Sequence, residues 1–152
     1  VWRTRALFQE TRGDETTFRF EPDGSIVAIG RRGSSNAQLC KSKPPYTKWE
    51  RSDLDRYIGG PLLTRWGNRY VVGGRRSVKG VGAKTSMCWF VNDELREFAQ
   101  LPSGGDNSYP GFLQLSATRA VMSWYSSHEK DANGKTITAI YMADLEIIKD
   151  AR

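Results

Sequence analysis

One histidine and two cysteines in 152 residues leave little material for metal chemistry. Neither Cys40 nor Cys88 has a second cysteine or a histidine at ligand spacing, so no metal site is expected. The two cysteines lie 48 residues apart on corresponding strands of a repeat. Such strands sit farther apart than the ~5.5 Å between Cα atoms that a disulfide needs, so two free, half-buried thiols are expected. No apolar run approaches the ~18–20 residues that cross a bilayer, and no membrane partner is expected. A nucleophile elbow, a P-loop and a Rossmann glycine pattern are all missing, so no cofactor is implied. Net charge is +6, but the arginines form no single run and no DNA- or RNA-binding signature occurs. The excess therefore reads as a solvated basic surface without a nucleic-acid partner. The chain opens Val-Trp-Arg-Thr-Arg with no Met, basic n-region or apolar h-region, and reads as a mature or excised piece whose compartment is hidden.

What the chain does have is glycine and aromatics: 15 Gly, 5 Trp, 6 Tyr and 6 Phe, within 38% hydrophobic and 26% charged residues. That composition fits one globular, all-β domain of tight hairpins and aromatic-lined strands. A pattern recurs three times, at residues 15–32, 59–76 and, more diverged, 108–127. Each copy is a lead-in with small residues or Pro, a short apolar strand, and a polar, mostly cationic cluster. The Arg31-Arg32 and Arg75-Arg76 pairs stand 44 residues apart. A strand-built repeat of about 40–50 residues is the signature of β-propeller blades.

The spacing predicts three four-stranded antiparallel blades over about residues 10–58, 59–107 and 108–152, with a strand at 2–9 completing an outer blade position. Pro22-Asp23-Gly24 and Gly67-Asn68 read as hairpin turns. Asp131-Ala-Asn-Gly134 reads as a turn too, because the ligands of a calcium loop are missing around it. The tail, residues 144–152, is compatible with a last strand or a short helix. Three blades cannot close a ring of four to eight. Either two copies complete one ring as a homo-oligomer, or the other blades belong to a parent chain; open apolar faces favour self-association.

A propeller sends the lead-in of each innermost strand, and the end of each second strand, to one central funnel. Those positions hold Asp14 and Glu15, Gly59-Gly60, and Asp106, Ser108 and Tyr109. The strand ends supply Arg31, Arg32, Arg75, Arg76, Tyr125, His128 and Glu129. Arginine forks bind carboxylates bidentately, and a carboxylate beside an arginine or tyrosine can act as general acid or activating base. On position alone, Asp14, Glu15, Asp106 and Tyr109 are the candidate catalytic residues. Arg31, Arg32, Arg75, Arg76, Tyr125, His128 and Glu129 are the candidate substrate-binding residues. Ordinary ion pairs stapling blades together are the structural alternative for any one of them.

Four segments carry a resemblance: Phe20-Glu-Pro-Asp-Gly-Ser-Ile-Val-Ala28, Ile58-Gly-Gly-Pro61, Leu101-Pro-Ser-Gly-Gly-Asp-Asn-Ser-Tyr-Pro-Gly111 and Trp124-Tyr-Ser-Ser-His-Glu129. Together they resemble the sialidase-like (neuraminidase-like, BNR-type) propeller family over nearly all of residues 10–145. The resemblance implies a six-bladed ring, of which this chain is about half. It also implies recognition or hydrolysis of anionic, sialic acid-like glycans by arginines, a tyrosine nucleophile activated by a glutamate, and an aspartate acid/base. Asp14 or Asp106 then stands for the acid/base, Tyr109 or Tyr125 for the nucleophile, and Arg32 or Arg76 for carboxylate binding. The alternative is a structural, self-assembling piece with no activity. The family's Asp-box survives only as Ser42-Lys-Pro-Pro-Tyr-Thr-Lys-Trp49, and its Arg-Ile-Pro segment is absent.

Overall fold

The computed structural model describes residues 1–3 and 8–148. They form eleven strands and no helix: β1 (Thr16–Phe20), β2 (Ile26–Arg32), β3 (Ser35–Ser42), β4 (Trp49–Asp53), β5 (Gly59–Trp66), β6 (Arg69–Val78), β7 (Gly82–Val91), β8 (Glu94–Gln100), β9 (Asn107–Gln114), β10 (Arg119–Lys130) and β11 (Thr136–Glu146). Strands pair in sequence order into antiparallel sheets β1–β4, β5–β8 and β9–β11. Two of the predicted four-stranded sheets are therefore present. The third is a correction: among the described residues it has three strands, because β11 absorbs residues 144–146 and 149–152 lie outside the description. Of the strand expected at 2–9, residues 4–7 fall outside the described residues, and residues 2, 3, 8 and 9 belong to no strand.

The hairpins follow from local chemistry. Asn92 and Asp93 both take positive φ, 53° and 62°, which joins β7 to β8 with the twist that hairpins favour. At the turn predicted over Asp131–Gly134, Asp131 Oδ1 accepts the amides of Asn133 (2.9 Å) and Lys135 (2.8 Å), so its carboxylate is used as a turn cap.

The middle sheet is buried on both faces, and β6 shows why. Val72 points toward the first sheet, into a core with Ile29, Leu39, Leu54, Ile58, Leu63 and Phe90. Val71 points toward the third, with Trp66, Met87, Met122 and Trp124. Each fully buried aliphatic side chain contributes roughly 1.5–3 kcal/mol, so these two layers dominate stability. Polar groups register the layers. Trp66 Nε1 donates to the Ser116 carbonyl (3.1 Å) and Trp124 Nε1 to that of Pro102 (3.1 Å). The fully buried Asn107 accepts from Thr85 Oγ1 (2.7 Å) and donates to the Ala83 carbonyl (3.2 Å). Cys40 and Cys88 are free as expected but buried rather than half-buried, on β3 and β7.

The first strands meet: β5 lies against both β1 and β9. The starts of all three are thereby gathered at one end of the molecule.

Candidate functional site

Glu15 immediately precedes β1 and is the hub of that end. One carboxylate oxygen, Oε2, accepts from Arg31 Nη1 (2.8 Å) and from the Gly60 amide (2.9 Å). The other, Oε1, accepts the phenolic hydrogen of Tyr109. Three sheets thus contribute to one carboxylate: β1 and β2 from the first, β5 from the second, β9 from the third. Asp14 lies alongside, with Oδ2 3.3 Å from Arg31 Nε.

A second, parallel arrangement adjoins it. Asp106 Oδ1 accepts from Arg75 Nη1 (2.8 Å) and from the Tyr125 hydroxyl (2.7 Å). Tyr57 joins the two halves: its hydroxyl accepts from Arg75 Nη2 (3.3 Å), and the Arg31 guanidinium sits 5.5 Å above its ring. The Tyr109 and Tyr125 rings are stacked, 5.9 Å apart and inclined by 25°. Each tyrosine is thus tied to a carboxylate, each carboxylate to an arginine, and the rings to one another.

Two glycines make this approach feasible. A Cβ on Gly60 would lie 2.4 Å from Ser108 Oγ and 3.0 Å from Tyr109 Cδ1, and Gly60 also takes φ +54°. A Cβ on Gly59 would lie 2.3 Å from the Tyr57 hydroxyl. Ser108 fastens β9 here, donating to the Gly59 carbonyl and accepting the Arg75 amide (3.3 Å). Tyr109 itself has φ +47°, a conformation costly for a bulky residue and held by its surroundings.

Burial works to raise the pKa of Glu15, but hydrogen bonds from Tyr109, Arg31 and the Gly60 amide outweigh it and hold the carboxyl at about 2. The same bond to Glu15, with burial, pushes the Tyr109 phenol up. Burial first, then the bond to Asp106, pushes Tyr125 up to about 12. Both phenols therefore stay protonated at neutral pH.

Of the residues predicted from sequence, Asp14, Glu15, Arg31, Arg75, Asp106, Tyr109 and Tyr125 come together. Four do not join them. Arg32 turns to Asp53 (2.6 Å) across its own sheet. Arg76 pairs with Glu97 and lines a cavity of about 350 Å³ with Asp55, Arg56, Tyr57 and Ser77. His128 packs on Tyr141 (centroids 4.8 Å apart) with Nδ1 2.8 Å from Ser126 Oγ, and Glu129 lies beside it at 4.0 Å. The sequence reading missed Tyr57 as the link between the halves, because it lies in a connecting loop outside the repeated segments. A larger cavity, about 630 Å³, lies at the opposite end of the first sheet near Lys43, Pro44 and Trp49. Among the described residues no group of three or more His, Cys, Asp or Glu side chains could hold a metal ion.

No family model matches this chain, and no curated protein matches it. Among solved structures it is similar to a protein of unknown function from Dyadobacter fermentans, at 18% identity and a TM-score of 0.71. The similarity covers 96% of this chain and 42% of the other, so this chain spans less than half of that one. At that identity the likeness speaks for the fold alone.

Proposed function

We propose that the chain is an arc of a β-propeller whose shared strand-lead-in end recognises carbohydrate, with binding rather than turnover as its role. One observation carries the reading: two stacked tyrosines, each hydrogen-bonded to a carboxylate, stand where the first strands of all three sheets meet. Tyr109 is 58% exposed, which leaves ring surface for the apolar face of a sugar, while charged groups beside it match hydroxyls. Isothermal titration against a panel of neutral, acidic and amino oligosaccharides tests this. Tyr109→Ala should weaken a positive response by about tenfold or more, the loss of one good aromatic contact. Absence of binding across the panel, or unchanged affinity in the variant, overturns the proposal.

Hydrolysis by a sialidase-like mechanism is the second reading, favoured by the Tyr109–Glu15 contact. The acidities favour binding instead. A carboxylate held at about 2 is a weak base, and a phenol pushed above its usual range is a weak nucleophile at neutral pH. A fluorogenic sialoside separates the two: release of the fluorophore that Tyr109→Phe abolishes would establish turnover.

The arc reading draws support from the outer face of the third sheet, where Ile140 and Met142 are 74% and 72% exposed. Closure by two copies is the assembly proposed, and light scattering at low concentration tests it. A particle of twice the 17.1 kDa chain mass supports pairing, and a monomer contradicts it.

A further inference from the structure

We infer that the sugar taken at the tyrosine pair carries positive charge: an amino sugar with a free ammonium group, rather than an acidic one. This rests on the carbohydrate reading above and narrows its substrate class.

Three features of the cluster point the same way. Its arginines are already committed. Arg31 holds Glu15 at 2.8 Å and Asp14 at 3.3 Å, and Arg75 holds Asp106 at 2.8 Å. An incoming carboxylate or sulfate would have to break those pairs and leave the displaced side chains uncompensated, which is how a site rejects a ligand. Next, three carboxylates (Asp14, Glu15 and Asp106) face two guanidiniums, so the cluster carries an excess of negative charge. Finally, both phenolic hydrogens are donated inward, to Glu15 and to Asp106. The tyrosines therefore offer a ligand their oxygen lone pairs and ring faces, which suit donors and cations.

The overall charge of +6 argues the other way, because it would steer anions toward the molecule. Local geometry decides, since surface fields beyond about 8–10 Å are largely screened at physiological salt while contact pairs are not. Asp106 is the best placed acceptor. Its side chain is 67% exposed, and both Arg75 and Tyr125 bond to the same oxygen, Oδ1.

Calorimetric titration at fixed ionic strength with three probes tests the inference: a glucosamine tetramer, its N-acetylated counterpart and sialyllactose. The free amine should bind about tenfold more tightly than the acetylated form, the effect of one cation–π contact with one charge-assisted hydrogen bond, and sialyllactose weakest of all. Asp106→Asn should erase most of that preference, the amine losing more affinity than its acetylated form. Equal affinity for the amine and its acetylated form, or a preference for sialyllactose, overturns the inference and leaves carbohydrate recognition standing. Failure of all three probes to bind overturns the recognition reading itself.

Discussion

Tyr109 and Glu15, 94 residues apart in sequence, share a hydrogen bond that joins the third sheet to the first over the backbone of the second. Glu15 is ionised whenever the fold is intact at ordinary pH, so the phenol meets a permanent charge. That pairing sets how the molecule should respond to acid, to alkali and to substitution at its contacts.

Acid should weaken the fold through Glu15 in a defined window. Its carboxyl falls from an ordinary 4.5 to about 2 in the folded chain. A depressed carboxyl stabilises above its unfolded value, and that contribution is lost as pH falls from 4.5 toward 2. Urea midpoints of the parent and Glu15→Gln should differ at neutral pH and converge across that interval. A gap that stays constant down to the lower end shows that Glu15 is not the group responsible.

Gly60→Ala should destabilise by at least about 1–2 kcal/mol from the left-handed backbone alone. The added Cβ, 3.0 Å from Tyr109 Cδ1 and 2.4 Å from Ser108 Oγ, should also push the tyrosine from Glu15. Thermal unfolding measures the first effect, and near-ultraviolet circular dichroism of the tyrosines the second. A variant with parental melting and an unchanged spectrum contradicts the packing described.

Alkali should find Tyr125 late to ionise. Its phenol is pushed up to about 12, first by burial and then by its bond to Asp106. Because the folded value is raised, the associated stability is complete below the unfolded value of 10 and is lost as pH rises through about 12. Spectrophotometric titration of tyrosinate in Asp106→Asn should show one phenol shifted downward relative to the parent. If no phenol shifts, the Tyr125–Asp106 bond is not what holds it.

Thiol chemistry checks the two cores. Burial raises Cys40 and Cys88 to about 11 each, so neither forms appreciable thiolate at neutral pH. An aromatic disulfide reagent should label neither in the native protein and both after unfolding in denaturant. Rapid labelling of one in the native state would mean that its sheet opens independently.

Some of this was legible in the chain and some was not, for reasons that particular residues make plain. The turns at Gly24, Gly67 and Gly134 are local events, and positive φ at each follows from the residue type. Glu15, Asp106 and Tyr109 were legible because each sits at a strand lead-in, and repetition puts lead-ins together. The arginine pairs were legible only as pairs. Alternation along a strand sends Arg75 toward Asp106 and Arg76 toward Glu97, and likewise divides Arg31 from Arg32. Counting parity from sequence fails here because the register shifts between Gly30 and Arg32 and again between Gly59 and Leu62. Tyr57 carries no pattern at all, since a loop residue's position depends on the tertiary fold around it. That the third sheet has three strands among the described residues likewise has no local signal.

The two-sided burial of β6 has a consequence for insertions and deletions. Val71 and Val72 serve opposite cores, and Arg75 and Arg76 opposite charge networks, all along one strand. Adding or removing a single residue in β6 just before Val71 would exchange both assignments beyond that point. Valine for valine would be tolerated, but Arg75 would leave Asp106 while a neighbour of different chemistry took its place. Length variation among descendants of this sequence should therefore collect in the turns, at residues 67–68 and 79–81, and spare the strand between them.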